Sequence, residues 1–287
     1  MTNVYRIIMR EISVSKIRDT VTDLCLKANF ELRKDILKGL KSALRQETNS
    51  RARNILKSII ENASLAKKRR LAICQDTGLV TIFLEIGNDL AIKGDLEEAL
   101  HKGVEDAYKK GYLRKSVVND PLVRKNTNTN APCIIHVDIV KGDKLKIAVS
   151  PKGFGSENKS AIKMLKPTAS EKEIMDFVLE VVKNAGADAC PPLVLGVGIG
   201  GTFDHAAQLS KKALLRSIET RNTKKHFRAL EKSLLKAVNA LKIGPMGLGG
   251  KTTALGVNIE EFPTHIAGLP VAVTVSCHAT RGAEKVL

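Results

Sequence analysis

Five cysteines, Cys25, Cys74, Cys133, Cys190 and Cys277, are spread through a chain of 287 residues. The number is odd, and the intervals are too wide for a compact disulfide framework or a zinc knuckle. Three of them share a setting. Cys74 ends "LAIC" and opens "CQDTG"; Cys190 precedes Pro191-Pro192 and a strand-like run into glycines; Cys277 ends "VAVTVSC" and is followed by the polar "HATR". Each stands at the boundary of an element, where a side chain can face a pocket. Cys25 instead lies between Leu24 and Leu26 in a helical apolar stripe, and Cys133 opens an apolar strand after Pro132. Both read as core thiols, the usual fate of free cysteine. In a reducing compartment the boundary cysteines are buried thiols, a nucleophile, or metal ligands gathered by the fold. Three thiolates from distant segments would suit an iron–sulfur cluster in which one iron lacks a cysteine. Such an iron has an open position and acts as a Lewis acid.

Two glycine-rich stretches imitate nucleotide sites. "GPMGLGGKTT" ends like a P-loop, but the first glycine of G-x-x-x-x-G-K-[ST] falls on Pro245, which has no N–H to give a phosphate. The residues before it, "EKSLLKAVNALKI", read as an amphipathic helix and not as the strand a P-loop needs. Its glycines are expected to let backbone pack closely, with Lys251 near anionic groups. Gly196 to Gly201 satisfies G-x-G-x-x-G between a strand and a helix. A second strand with an acidic residue should follow that helix, and another basic helix follows instead.

The elements that must position these residues come from hydrophobic periodicity. Ile12 to about Arg70 repeats at three and four and predicts helices. "LVTIFLEIG" predicts a strand, and "GDLEEALHKGVEDAYKKG" a helix with acidic residues in its first turn. "CIIHVDIVKGDKLKIAVS" predicts a hairpin around Lys141-Gly142-Asp143. Ser170 and Glu173 form a capping box for the helix that ends at Gly186. "PPLVLGVGIGG" and "LPVAVTVSC" predict strands, with helices over "DHAAQLSKKALLRSI" and "FRALEKSLLKAVNAL". The fold class is α/β: a helical N-terminal portion, 1–70, packed on a mixed-sheet region, 71–287, the two forming one continuous domain.

Composition sets the partners. Net charge is +17, which raises the possibility of nucleic acid. Three Tyr, seven Phe and no Trp leave few platforms for stacking bases, and nucleic acid is not the expected partner. A positive field also steers small anions. "MTNVYRIIMREISVSK" lacks the apolar core of a secretory leader, and no apolar run approaches membrane-spanning length. A soluble, cytoplasmic protein without membrane contact is expected.

"ICQDTG", "LRKSVVNDPL", "GFGSENKS", "CPPLVLGVGIGGTFDHA", "GPMGLGGKTTALGV" and "HIAGLPVAVTVSCHATR" together resemble the class I, iron–sulfur-dependent fumarate hydratases and L(+)-tartrate dehydratases. The likeness runs from about Cys74 to Arg281 and is to the α subunit of the two-subunit form. It implies a [4Fe–4S] cluster on Cys74, Cys190 and Cys277, whose fourth iron binds the carboxylate and hydroxyl of a dicarboxylate substrate. It implies reversible hydration of fumarate to L-malate, with L(+)-tartrate dehydration as the alternative. It implies an acid/base role for Asp76 and a catalytic, substrate-contacting role for His265. Gln75, Arg114, Gly153 and Gly155 become substrate-binding residues, although Phe154 stands where the family pattern has another glycine. Taken singly, Asp76 reads as a turn residue before Gly78, Arg114 as a surface arginine, and His265 as a core or capping histidine. Finally, the resemblance implies a hetero-oligomer with a β subunit that carries the remaining catalytic residues. The competing reading, from a different class, is a basic nucleic-acid-binding α/β protein with ordinary buried thiols.

Overall fold

The structure is a computed structural model that describes residues 9–287. The opening residues of the stretch read for a leader therefore lie outside the described residues. The fold is mixed α/β, with helices at the N-terminus and mixed sheets. Among the described residues, no helix is long and apolar enough to cross a membrane.

The chain divides into two compact units, and it passes between them more than once. Of the described residues, one holds 9–30, 74–151 and 282–287; the other holds 31–73 and 152–281. The N-terminal helical stretch is thus shared: α1 (Val14–Phe30) belongs to the first unit, and α2 (Lys34–Gln46) and α3 (Ser50–Arg69) to the second.

In the first unit, β1 (Arg10–Ser13) pairs in parallel with β3 (Leu90–Lys93). A four-stranded sheet runs β10 (Ala283–Val286), β5 (Leu145–Lys152), β2 (Leu79–Gly87), β4 (Ile134–Val140). The expected hairpin is corrected here. β4 and β5 follow one another in sequence, yet β2 lies between them and pairs in parallel with β4. Burial gives the reason. Val80 to Leu84 of β2 are all buried and need a strand on each side, whereas Ile134, Val137 and Ile139 of β4 are exposed, as suits an edge. Helix α4 (Leu96–Lys110) starts at Asp95, whose side chain accepts the Glu98 N–H, and packs on α1. The contact is close: Thr22 Oγ1 donates to the Gly103 carbonyl at 3.0 Å.

In the second unit, the sheet order is β6 (Ala161–Leu165), β9 (Leu269–Ser276), β7 (Leu193–Gly200), β8 (Ala254–Phe262). β7 is parallel to β8 and antiparallel to β9. Every residue of β7 is buried, so helices cover both faces. On one face lie α6 (Glu171–Ala185) and α8 (Lys225–Ala240), through Val178, Val182, Leu234 and Val238. The capping box of α6 is formed, with Ser170 and Glu173 bonded reciprocally. On the other lies α7 (Phe203–Ala213), joined by α2, whose Ile36 and Leu40 cluster with Val194 and Leu214.

The G-x-G-x-x-G stretch has a packing purpose. A Cβ on Gly196 would lie 2.0 Å from the Ser210 carbonyl oxygen, and one on Gly198 would lie 2.0 Å from that of Ala206. The glycines bring α7 onto β7 at a distance no side chain permits. Gly198→Ala is expected to cost about 3 kcal/mol in urea unfolding, because the obstacle is backbone and cannot turn aside. Gly155→Ala, whose Cβ would meet only the Asp188 carbonyl oxygen at 3.8 Å, should unfold close to wild type. Equal losses for the two variants would contradict this reading.

Candidate functional site

The second unit gathers two of the three boundary cysteines. β7 and β9 are antiparallel, and Val194 pairs with Ser276, so the start of β7 and the end of β9 lie together. Cys190 precedes the first and Cys277 follows the second. His278 ties the two turns: its N–H donates to the Cys190 carbonyl at 3.2 Å, and its Nδ1 lies 3.0 Å from the same oxygen. A carbonyl only accepts, so Nδ1 carries the proton. Burial holds this imidazole below its ordinary range, against the pull of the Cys190 carbonyl. Thr280 Oγ1 donates to the Cys277 carbonyl at 2.8 Å and fixes the turn beyond it.

Cys190 has a left-handed backbone, φ 52°, that residues other than glycine seldom adopt. It closes a 3₁₀ turn, Gly186–Ala189, through a 2.9 Å bond from its N–H to the Ala187 carbonyl. The "GPMGLGG" loop packs on this turn. A Cβ on Gly247 would lie 2.3 Å from that of Ala187, and the Met246 N–H donates to the Pro191 carbonyl at 2.8 Å. The P-loop likeness ends in a different bond. The Lys251 N–H donates to the buried Glu47 carboxylate at 2.6 Å, and Lys251 Nζ donates to the Gln46 carbonyl at 3.1 Å. The amide that would cradle a phosphate is already taken by a carboxylate.

Cys74, Gln75, Asp76 and Arg114 belong to the first unit. Cys74 Sγ lies 3.4 Å from Gln75 Oε1. Asp76 Oδ1 accepts the Gly78 N–H at 3.1 Å, the turn chemistry its spacing suggested. Thr77 Oγ1 donates to the Arg114 carbonyl at 2.6 Å, which joins the Asp76 turn to the exposed Arg114. Beneath them lie groups that sequence reasoning missed. The Tyr108 hydroxyl donates to the Thr77 carbonyl at 2.6 Å, and Asn130 Nδ2 donates to the Gly78 carbonyl at 3.1 Å. Asn130 Oδ1 accepts the Ser116 N–H at 2.7 Å. Tyr108 and Asn130 are wholly buried, and a buried polar group far along the chain from a turn carries no short-range signal.

Gly153 and Gly155 belong to the second unit, at the start of the four-residue α5 (Phe154–Glu157). Beside them is another missed group. Lys152, the last residue of β5, is buried with its ammonium against Ser156 and Glu157. His265 is not brought to the cysteines of its unit. It lies in the exposed connection between β8 and β9, at the opposite end of the sheet from Cys190 and Cys277. A strand of eight residues separates the ends by on the order of 20 Å. His265 Nδ1 accepts the Ala267 N–H at 3.1 Å, a capping bond.

Cys190 and Cys277, brought to one end of the sheet, are of a chemistry that suits a thiolate-held metal or cluster. Cys74, Cys190 and Cys277 are part-exposed, whereas Cys25 and Cys133 are buried, and all five are free thiols. Burial pushes the Cys133 thiol up to about 12 and the Cys25 thiol higher still, so neither readily yields the thiolate that metals require. Cys133 Sγ is also engaged at 3.2 Å by His101 Nδ1. Among the described residues, no three His, Cys, Asp or Glu side chains form a group that could chelate a single metal ion. Native-state alkylation with iodoacetamide, read by peptide mass spectrometry, should modify Cys74, Cys190 and Cys277 first. Modification of Cys133 as fast as Cys277 would contradict this division.

Comparison with known proteins gives a consistent picture. The sequence pattern of the fumarate hydratase (Fumerase) family matches residues 18–286. A protein of Methanocaldococcus jannaschii, provisionally named L(+)-tartrate dehydratase subunit alpha, is 44% identical over 277 residues, covering 94% of this chain and 97% of its own. The L(+)-tartrate dehydratase subunit alpha of Escherichia coli strain UTI89 is 31% identical over 272 residues, covering 94% of this chain and 90% of its own. With a pattern matched along nearly its whole length and relatives aligned end to end, the chain belongs to the fumarate hydratase (Fumerase) family of hydro-lyases.

Proposed function

We propose that the chain is the α subunit of a [4Fe–4S]-dependent hydro-lyase that reversibly hydrates fumarate to L-malate with a separate β subunit. The observation that carries the reading is the pair of part-exposed thiols, Cys190 and Cys277, held at one end of the sheet by His278. Cys74 would complete the ligand set. Its place in "ICQDTG", one of the motifs that carry the resemblance, supports the assignment. Bound there, the cluster would supply an iron with an open coordination position that polarises the hydroxyl and carboxylate of the substrate.

The chain's own residues would do the rest. Asp76, oriented by the Gly78 N–H, moves a proton at its carboxylate. Arg114 offers a planar fork to the far carboxylate, and its backbone is fixed by Thr77. Gln75 and the backbone N–H groups of Gly153 and Gly155 would bind the substrate's remaining oxygens. His265 lies at the other end of its sheet from Cys190 and Cys277, so the catalytic role the resemblance implies for it would be played away from the cysteines of its own unit. Five free thiols and a thiolate-held cluster suit a reducing, cytoplasmic setting.

L(+)-tartrate dehydration is the second reading, and the names of the relatives favour it. Tartrate differs from malate by one hydroxyl, and the same residues would serve. The "subunit alpha" of both names supports a β partner. The test is anaerobic reconstitution with iron and sulfide, then assay on fumarate and on L(+)-tartrate with and without the candidate partner. The chain alone should be nearly inactive, and the partner should restore turnover on one substrate. A brown, partnered complex inactive on both would refute the reading, and full activity without a partner would refute the split enzyme. Asp76→Asn should keep its iron and lose about 10²–10⁴-fold in turnover, as expected for a general acid–base group. Near-normal turnover would remove Asp76 from the mechanism.

A further inference from the structure

β4 is an edge of its four-stranded sheet, and among the described residues β2 is its only strand neighbour. No residue of β4 is fully buried; Ile139 is 70% exposed and Val137 47%. Edge strands are usually blunted by shortness, lysine, proline or a bulge, because their open amides invite another strand. Other edges here are blunted: β10 has four residues and carries Glu284 and Lys285, and β6 carries Lys163 at its centre. β4 runs for seven residues, "IIHVDIV", with no lysine and no proline, and pairs with β2 without a shift of register.

One bond gives the direction of its backbone groups. The Val140 carbonyl accepts the Asn88 N–H at 2.9 Å, next to the Gly87–Val140 pair, so Val140 bonds toward β2. Successive residues of a strand turn their N–H and C=O to opposite sides. Ile135, Val137 and Ile139 therefore present theirs to the open side. That side is self-complementary. A second copy related by a two-fold axis meets β4 antiparallel. With Val137 opposite itself, Ile135 meets Ile139, and every outward residue bonds to an outward residue. Ile134 then meets Val140, and His136 meets Asp138 of the second copy, twice by symmetry. These are the closer, non-hydrogen-bonded pairs, about 4.5 Å between Cα atoms. The neighbouring registers are worse. One sets Asp138 against Asp138, and the other sets His136 against His136 and Asp138 against Ile134.

We propose that the β4 edge is an interface between two copies of this chain, paired antiparallel in the register centred on Val137. The two four-stranded sheets then become one sheet of eight. Apolar residues meet apolar residues across the seam, and imidazole meets carboxylate. The net charge of +17 opposes association, and salt at about 0.15 M screens that repulsion beyond about 8 Å. The inference needs neither a cluster nor a substrate.

The test is analytical ultracentrifugation of the full chain at that salt, alone and with the candidate β partner. Wild type should have the mass of two chains at micromolar concentration, and the pair should persist when the partner binds. Val137→Lys sets like charges across the axis and should weaken pairing about tenfold or more. His136→Asp should also weaken it, and the double swap His136→Asp with Asp138→His should restore it. The ring of His136 lies 4.9 Å from that of Phe83, and both variants lose that contact, so recovery in the swap reports the charges and not the packing. Register is read by oxidation and peptide mass spectrometry. Val137→Cys should cross-link to itself, since paired Cα atoms about 5.5 Å apart suit a disulfide. Ile139→Cys should not, although it is the more exposed, because its two copies stand about 14 Å apart. A monomeric wild type, pairing indifferent to Val137→Lys, or cross-linking at 139 in preference to 137 would overturn the proposal. So would a partner that dissociates the pair, which would assign this edge to the β subunit.

Discussion

The candidate site depends on one shared acceptor. The Cys190 carbonyl takes both the backbone N–H and the Nδ1 of His278, and so joins the turn before β7 to the turn after β9. Neither turn would hold this shape alone. Cys190 has a left-handed backbone that costs roughly 1–2 kcal/mol for a residue with a Cβ. That cost is offset by bonds on both sides: its own N–H to Ala187, and the Met246 N–H to the next carbonyl. Strain of this kind persists where surrounding structure over-determines it, and such places are enriched in functional sites. The antiparallel register of β7 and β9 is the larger frame, since it sets Val194 opposite Ser276 and so decides which chain ends meet.

The glycines serve this frame by steric absence. Those of β7 admit the backbone of α7, and Gly247 admits Ala187 ahead of Cys190. Both stretches look like phosphate-binding motifs because close backbone approach selects the same residue, whether the other party is a phosphate or a helix. At Lys251 the difference is plain: its amide proton goes to Glu47, a protein carboxylate in the place where an anionic ligand would stand.

Much of this was legible in the sequence. The strand over Leu79 to Gly87, the Ser170–Glu173 capping box, and the division of the thiols into core and boundary follow from local pattern. What was not legible is long-range. The hairpin expected between β4 and β5 is opened by β2, because strand insertion depends on which strand must be buried on both faces and not on the turn. The buried Tyr108 and Asn130 act on a turn some 30 and 52 residues away. Lys152 precedes a glycine-rich motif and looks like one of many lysines until its burial is known. His265 sits in a motif continuous with Cys277, yet the full length of β9 separates them.

The central claim is that Cys74, Cys190 and Cys277 hold a cluster and that Cys25 and Cys133 do not. Iron and sulfide content after anaerobic reconstitution, with Mössbauer spectra of single Cys→Ser variants, tests it directly. Cys190→Ser and Cys277→Ser should lose the [4Fe–4S] signal, as should Cys74→Ser, while Cys133→Ser keeps four irons per chain at wild-type intensity. A full cluster in Cys190→Ser, or its loss in Cys133→Ser alone, would contradict the account.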